Sequence, residues 1–192
     1  MSPYDPELWP KLMTSLGQLV VSSGSLEETV RSVVLNMMGG PHWRRTGLVI
    51  DGYSASQMNE RARRLGFQVL GGPLQTDVIE WIQQVEKVQI RRNNIVHSHW
   101  SHIDFSGTPA ATTRKVRKAK RELEQVSQKW TPAEIDQLTG EISLVDIEGT
   151  YLVVELQGFS LVEGRDGSDL APWVRQGPRP VIPRSQQWRR PE

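Results

Sequence analysis

The chain has 192 residues, 37% of them hydrophobic and 23% charged, with 23 basic and 22 acidic side chains and a formal net charge of +1. That length suits one domain with a sizeable core, and the charge balance excludes binding of nucleic acid through a global positive field. Cysteine is absent, which removes disulfides, thiol nucleophiles and thiolate metal sites together.

Met1-Ser2-Pro3-Tyr4-Asp5 shows no basic segment followed by an apolar one, and no run approaches the ~20 apolar residues of a membrane span. A cytoplasmic protein without membrane contact is therefore expected. The first helix is expected to start near Pro6 or Pro10, since proline suits a first helical turn. Its apolar stripe runs Leu12, Leu16, Leu19, Val20, Leu26, Val30, Val33, Val34, Met37, and keeps phase across Ser22-Ser23-Gly24-Ser25. One long helix follows from that phase, although Ser25 with Glu28 also fits a capping box that would start a second. Gly39-Gly40-Pro41 ends the helix.

Residues 42–52 read equally as strand or helix start around Leu48-Val49-Ile50. A helix is expected from Ser54 to Leu65, with Ser54 or Ser56 as cap and Met58, Ala62 and Leu65 facing inward. After Gly71-Gly72-Pro73, Thr76 is the expected cap of a helix running to about His97 or Trp100, with apolar positions Val78, Trp81, Ile82, Val85, Val88, Ile95 and Val96. Residues 101–113 read as a loop. The spacing of Val116, Ala119, Leu123 and Val126 favours a helix slightly over a short hairpin for residues 114–130. Thr131-Pro132-Ala133-Glu134 starts the last helix, with Gly140 and Gly149 as its weak points. Residues 159–192 are rich in proline, glycine and arginine without periodicity and read as a flexible, disordered tail. The fold class is thus all-α: an antiparallel bundle of four to five helices over residues 1–158, with a helix or a short hairpin ahead of the last.

Chemistry concentrates in Arg91-Arg92-Asn93-Asn94-Ile95-Val96-His97-Ser98-His99-Trp100. Arg92 falls near the middle of an apolar arc roughly 140° wide, where a guanidinium is costly without an anion or a hydrogen-bond network. Asn93 and His97 are four apart and share a face. An arginine followed by a polar residue, with a histidine five positions after the arginine at the end of an apolar helix, resembles the active-site motif of the HEPN superfamily; here it reads Arg92-Asn93-Asn94-Ile95-Val96-His97. The resemblance covers about residues 5–157, and the motif is its specific part. HEPN domains are small and all-α, and many are metal-independent endoribonucleases of toxin–antitoxin, phage-defence and CRISPR-associated systems.

The resemblance implies that Arg92, Asn93 and His97 are catalytic, that RNA is the substrate, that no metal or cofactor is used, and that two motifs form one site in a homodimer cleft. It also implies a cognate antitoxin or regulatory protein as a partner. In such a site a 2′-hydroxyl attacks the adjacent phosphate. Histidine, which titrates near neutrality, serves as base or acid, and arginine offers its planar fork to the phosphate oxygens. Residues five apart on a helix point about 140° away from each other. Arg92 and its own His97 are therefore expected to converge poorly within one chain, a second reason to expect pairing across a two-fold axis. The alternative is a HEPN-like module that dimerises or holds RNA or a nucleotide without cleaving.

Arg114, Lys115, Arg117, Lys118, Lys120 and Arg121 crowd six cations into eight positions. With Arg91, the first four are candidate contacts to the RNA backbone, or else a solvated face balanced by Glu122 and Glu124. His97, His99, His102 and Asp104 form a rival metal-binding cluster, but only a strand would put His97 and His99 on one side.

Overall fold

The computed structural model describes residues 7–39, 50, 52–97, 99–104, 110–119 and 122–162. Its helices are α1 (Leu8–Met37), α2 (Ala55–Val69), α3 (Gly72–Val96) and α4 (Pro132–Val162); between α3 and α4 lie strands β1 (His99–Asp104), β2 (Ala110–Ala119) and β3 (Glu122–Trp130). The helices form the all-α bundle that the periodicity predicts. Partners along α2 and α3 run in opposite directions, Asn59 with Gln89 and Arg63 with Glu86. Those along α3 and α4 do the same, Trp81 with Val145 and Arg91 with Glu141. The last helix, α4, extends to Val162, past the start of the tail expected at residue 159, and residues 163–192 of that expected tail lie outside the described residues.

Helix α1 runs without a break through Gly24. Ser25 does not cap a second helix: its hydroxyl donates to Asp146 Oδ2 at 2.6 Å, beside Thr29, whose Oγ1 donates to Oδ1 at 2.5 Å. One carboxylate thus ties two turns of α1 to α4. The inward stripe of α1 is Leu12, Leu19, Leu26, Val30, Val33, Val34 and Met37, all buried, whereas Val20 is 46% exposed. Ser15 and Ser23 take inward places, and Ser23 satisfies its hydroxyl on Leu19 O, four residues back.

Helix starts follow local chemistry. Ser54 and Gln57 form a reciprocal capping box, so Ser54 rather than Ser56 is the cap of α2. Thr131 and Glu134 do the same for α4. Thr76 is not the cap of α3, which begins a turn earlier at Gly72; there φ is +58°, a conformation glycine tolerates, and Pro73 fills the first turn. Ile50, the one described residue between Gly39 and Gly52, is helical and buried. Met58, Ala62 and Leu65 of α2, Trp81, Ile82 and Val85 of α3, and Ile135, Leu138 and Ile142 of α4 meet in a single core. Each large side chain there contributes about 1.5–3 kcal/mol by leaving water. Trp81 also satisfies its indole N–H on Val145 O at 2.7 Å.

Of the two readings of residues 114–130 the structure takes the hairpin rather than the slightly favoured helix, and the loop expected over 101–113 supplies β1 and the start of β2. The three strands form one antiparallel sheet in the order β1-β2-β3. Pairing of β1 with β2 runs from Asp104↔Ala110 to His99↔Arg114, so Lys115 to Ala119 pair with β3 alone. Trp130, buried at the end of β3, and Trp100, half-buried near the start of β1, anchor the sheet to the helical core.

The two suspected weak points of α4 are unlike each other. A Cβ at Gly140 would meet nothing within 4 Å. Gly140→Ala is therefore expected to stabilise the protein by roughly 0.5–1 kcal/mol, the helix-propensity difference, read as a rise in the urea midpoint at unchanged slope. Gly149 is the opposite case: a Cβ there would lie 2.3 Å from Trp81 Cζ2.

Candidate functional site

Helix α3 carries its apolar face into the core through Ile95, which is fully buried, and ends at Val96. His97 is the C-cap: its φ of −99° and ψ of 11° leave helical geometry while its N–H still donates to Asn93 O at 3.3 Å. That departure matters for the motif. Arg92 Nη1 donates to Asn93 Oδ1 at 3.0 Å and lies 3.4 Å from His97 Nε2. The poor convergence expected from ideal helix phase is thus corrected: a long guanidinium stem and a cap residue outside the helix bring Arg92, Asn93 and His97 together in one chain. The Arg92–His97 contact is long for a hydrogen bond. It suits an imidazole whose Nε2 carries the lone pair, the tautomer being inferred from the contact.

Charge around the cluster is distributed unequally. Arg91 forms an ion pair with Glu141 of α4, whose other oxygen accepts from Gln137 Nε2 at 3.3 Å. Arg91, a candidate RNA contact in the sequence, is therefore engaged in holding α3 to α4. Arg92 makes no ion pair among the described residues, and its Nε is buried without a hydrogen-bond partner. His97 is exposed and Arg92 and Asn93 are half-buried, so the cluster opens to solvent on one side. A half-buried cation with unused donors, beside an exposed imidazole, is equipped to receive an anion such as a phosphodiester.

The basic candidates Arg114, Lys115, Arg117 and Lys118 all lie on β2 rather than on a helix. Register puts Arg114 opposite His99, two residues beyond His97, so its backbone lies within about 12 Å of the cap residue's. Lys115, Arg117 and Lys118 follow in the part of β2 that pairs only with β3, where Arg117 stands opposite Glu124. Of the rival metal cluster, His97 caps α3 while His99, His102 and Asp104 belong to β1.

Sequence reasoning missed a second group. Asn59 of α2 is 3% exposed and donates from Nδ2 to Gln89 Oε1 at 2.7 Å, and both lie at an open cleft of about 230 Å³ between α1, α2 and α3. The readable signal was Gln89, three residues before Arg92 and four before Asn93 on one helix row. No protein-family model, curated protein or solved structure matches this chain.

Proposed function

We propose that this protein is a HEPN-like, metal-independent endoribonuclease that cuts RNA by attack of a 2′-hydroxyl on the neighbouring phosphate. The observation carrying the reading is the Arg92 guanidinium, held by Asn93 Oδ1, 3.4 Å from His97 Nε2 and paired with no carboxylate among the described residues. Arg92 takes the charge that develops on the phosphorane, His97 moves a proton, and Asn93 fixes the guanidinium plane. Arg114, and beyond it Lys115, Arg117 and Lys118, hold the RNA backbone without reading sequence.

Each chain brings one His97 to this cluster, and the reaction needs a base for the hydroxyl and an acid for the leaving 5′-oxygen. A homodimer that faces two clusters across a two-fold axis supplies both, so the working form is the dimer. A cytoplasmic toxin or phage-defence nuclease, held in check by a cognate antitoxin, is the setting this chemistry fits.

The test is incubation of purified protein with a mixed RNA pool, with and without chelator, followed by analysis of the new ends. Chelator-resistant cuts ending in 2′,3′-cyclic phosphate and 5′-hydroxyl are the expected result. Chelator-sensitive cuts, or 3′-hydroxyl ends, would overturn it. Intact RNA under every condition would leave the non-catalytic binding module.

A further inference from the structure

Helix α4 is apolar on more than its buried side. Ile142, Val145 and Leu152 enter the core. Gly140, Leu144, Ile147, Tyr151 and Val154 recur at alternating spacings of four and three along another face. On that face Ile147, Tyr151 and Val154 are 47%, 41% and 60% exposed. Val21 of α1, 74% exposed, extends the apolar surface: it lies one turn before Ser25, whose hydroxyl reaches Asp146, the chain neighbour of Ile147. A helix that is apolar on both sides belongs in an interior, so the outer face of α4 is made to be covered.

Charge indicates the cover. Helix α4 carries six carboxylates and no lysine, arginine or histidine. Glu141 is taken by Arg91, and Asp146 by Ser25 and Thr29. Glu148 and Glu155 follow Leu144 and Tyr151 by four residues each and so border the stripe. Glu148 forms no ion pair among the described residues. On α1, Glu28 stands exposed one residue before Thr29. An apolar face with an acidic border repels RNA and anionic lipid, and a second copy of the same face would set these carboxylates against their counterparts. It suits an apolar segment that carries cations.

The chain supplies one. Residues 170–191, which lie outside the described residues, hold Leu170, Trp173, Val174, Val181, Ile182 and Trp188 together with five arginines and no acid. Their reach is sufficient. Tyr151 lies eleven residues before the end of α4, about 16 Å along the helix, and Trp173 lies eleven residues after it, a span of up to about 36 Å.

We infer that residues 170–191 dock on the outer face of α4 of their own chain, tryptophan on the Ile147–Tyr151–Val154 stripe and arginines along its acidic border. This contact does not depend on the ribonuclease chemistry.

The absence of cysteine lets a single introduced cysteine carry a spin label at a chosen place. Full-length ¹⁵N-labelled protein bearing the label at Thr150→Cys, exposed on α4, is compared with protein bearing it at Gln68→Cys, exposed on α2, which packs against α1 and α3. The Trp173 and Trp188 indole N–H resonances are followed, assigned by Trp173→Phe and Trp188→Phe. At least one is expected to lose most of its intensity to the label on α4 and to keep it with the label on α2. Val154→Glu and Glu148→Lys, each added to the α4-labelled protein, should restore that intensity while the rest of the amide spectrum is kept, which tells loss of docking from loss of fold.

Indoles untouched by the label on α4, or broadened equally from both places, would overturn the docking, as would broadening that survives both substitutions. Broadening that arises only between chains, when spin-labelled protein at natural abundance is mixed with unlabelled ¹⁵N protein, would give the face to a second copy and overturn it as well.

Discussion

His97→Ala is expected to lower RNA cleavage by about 10²–10⁴-fold, the contribution of one positioned acid or base, while leaving the fold unchanged. The imidazole is exposed and contributes nothing to the core; the bond that closes the end of α3 uses the His97 backbone N–H, which alanine keeps. Loss of rate with an unaltered unfolding midpoint and unaltered dimer content is therefore the expected signature. A soluble, folded variant that cuts at the wild-type rate would end the assignment of His97. Mixing wild type with excess His97→Ala adds a sharper reading. If base and acid come from two copies, a mixed dimer has one imidazole and is inactive, so the variant suppresses the wild-type activity; activity that simply tracks the amount of wild type would confine the chemistry to one chain.

The second large effect concerns stability. At Gly149 a Cβ would lie 2.3 Å from Trp81 Cζ2 and 2.6 Å from Thr29 Cγ2. Neither neighbour has room to yield. Trp81 is 1% exposed and held by its indole N–H on Val145 O, and Thr29 is fixed by its hydroxyl on Asp146. Gly149→Ala should therefore cost about 3 kcal/mol in overpacking, against a gain of about 1 kcal/mol in helix propensity. The net loss of roughly 2 kcal/mol corresponds to a melting temperature lower by about 4–8 °C at this chain length. Calorimetry of wild type, Gly140→Ala and Gly149→Ala side by side would decide it: the same substitution, nine residues apart on one helix, should move the transition in opposite directions. A neutral or stabilising Gly149→Ala would show that α1, α3 and α4 pack less closely at this point than described.

The contrast between these two glycines marks the limit of what the sequence discloses. Both read as weak helix positions, because propensity is a local property and the ring of Trp81 lies 68 positions from Gly149 in the chain. The caps Ser54 and Thr131 were legible for the same reason, since each box closes within four residues. Ser25 was ambiguous because its deciding partner, Asp146, is 121 residues away.

The strands were the hardest to see. Val116, Ala119, Leu123 and Val126 fit a helical period, and only the pairing of β2 with β1 and β3, a non-local property, decides between the readings. The motif itself was plain in the sequence, but its geometry was not. Helical phase sends Arg92 and His97 apart, and the termination of α3 at Val96 is what frees the histidine from that phase. The Asn59–Gln89 pair escaped notice because a buried asparagine on an amphipathic helix gives no sign of which amide it will face.

Trp100 and Gln128 both pair with Thr113, one on each side of β2, so the chain leaves the bundle and re-enters it within about 10 Å, two strand spacings. A loop that starts and finishes at neighbouring points can lengthen, shorten or change its charge at little cost to the scaffold beneath it. The strands between Trp100 and Gln128 therefore form an attachment whose length and charge can change while the helical base is held constant.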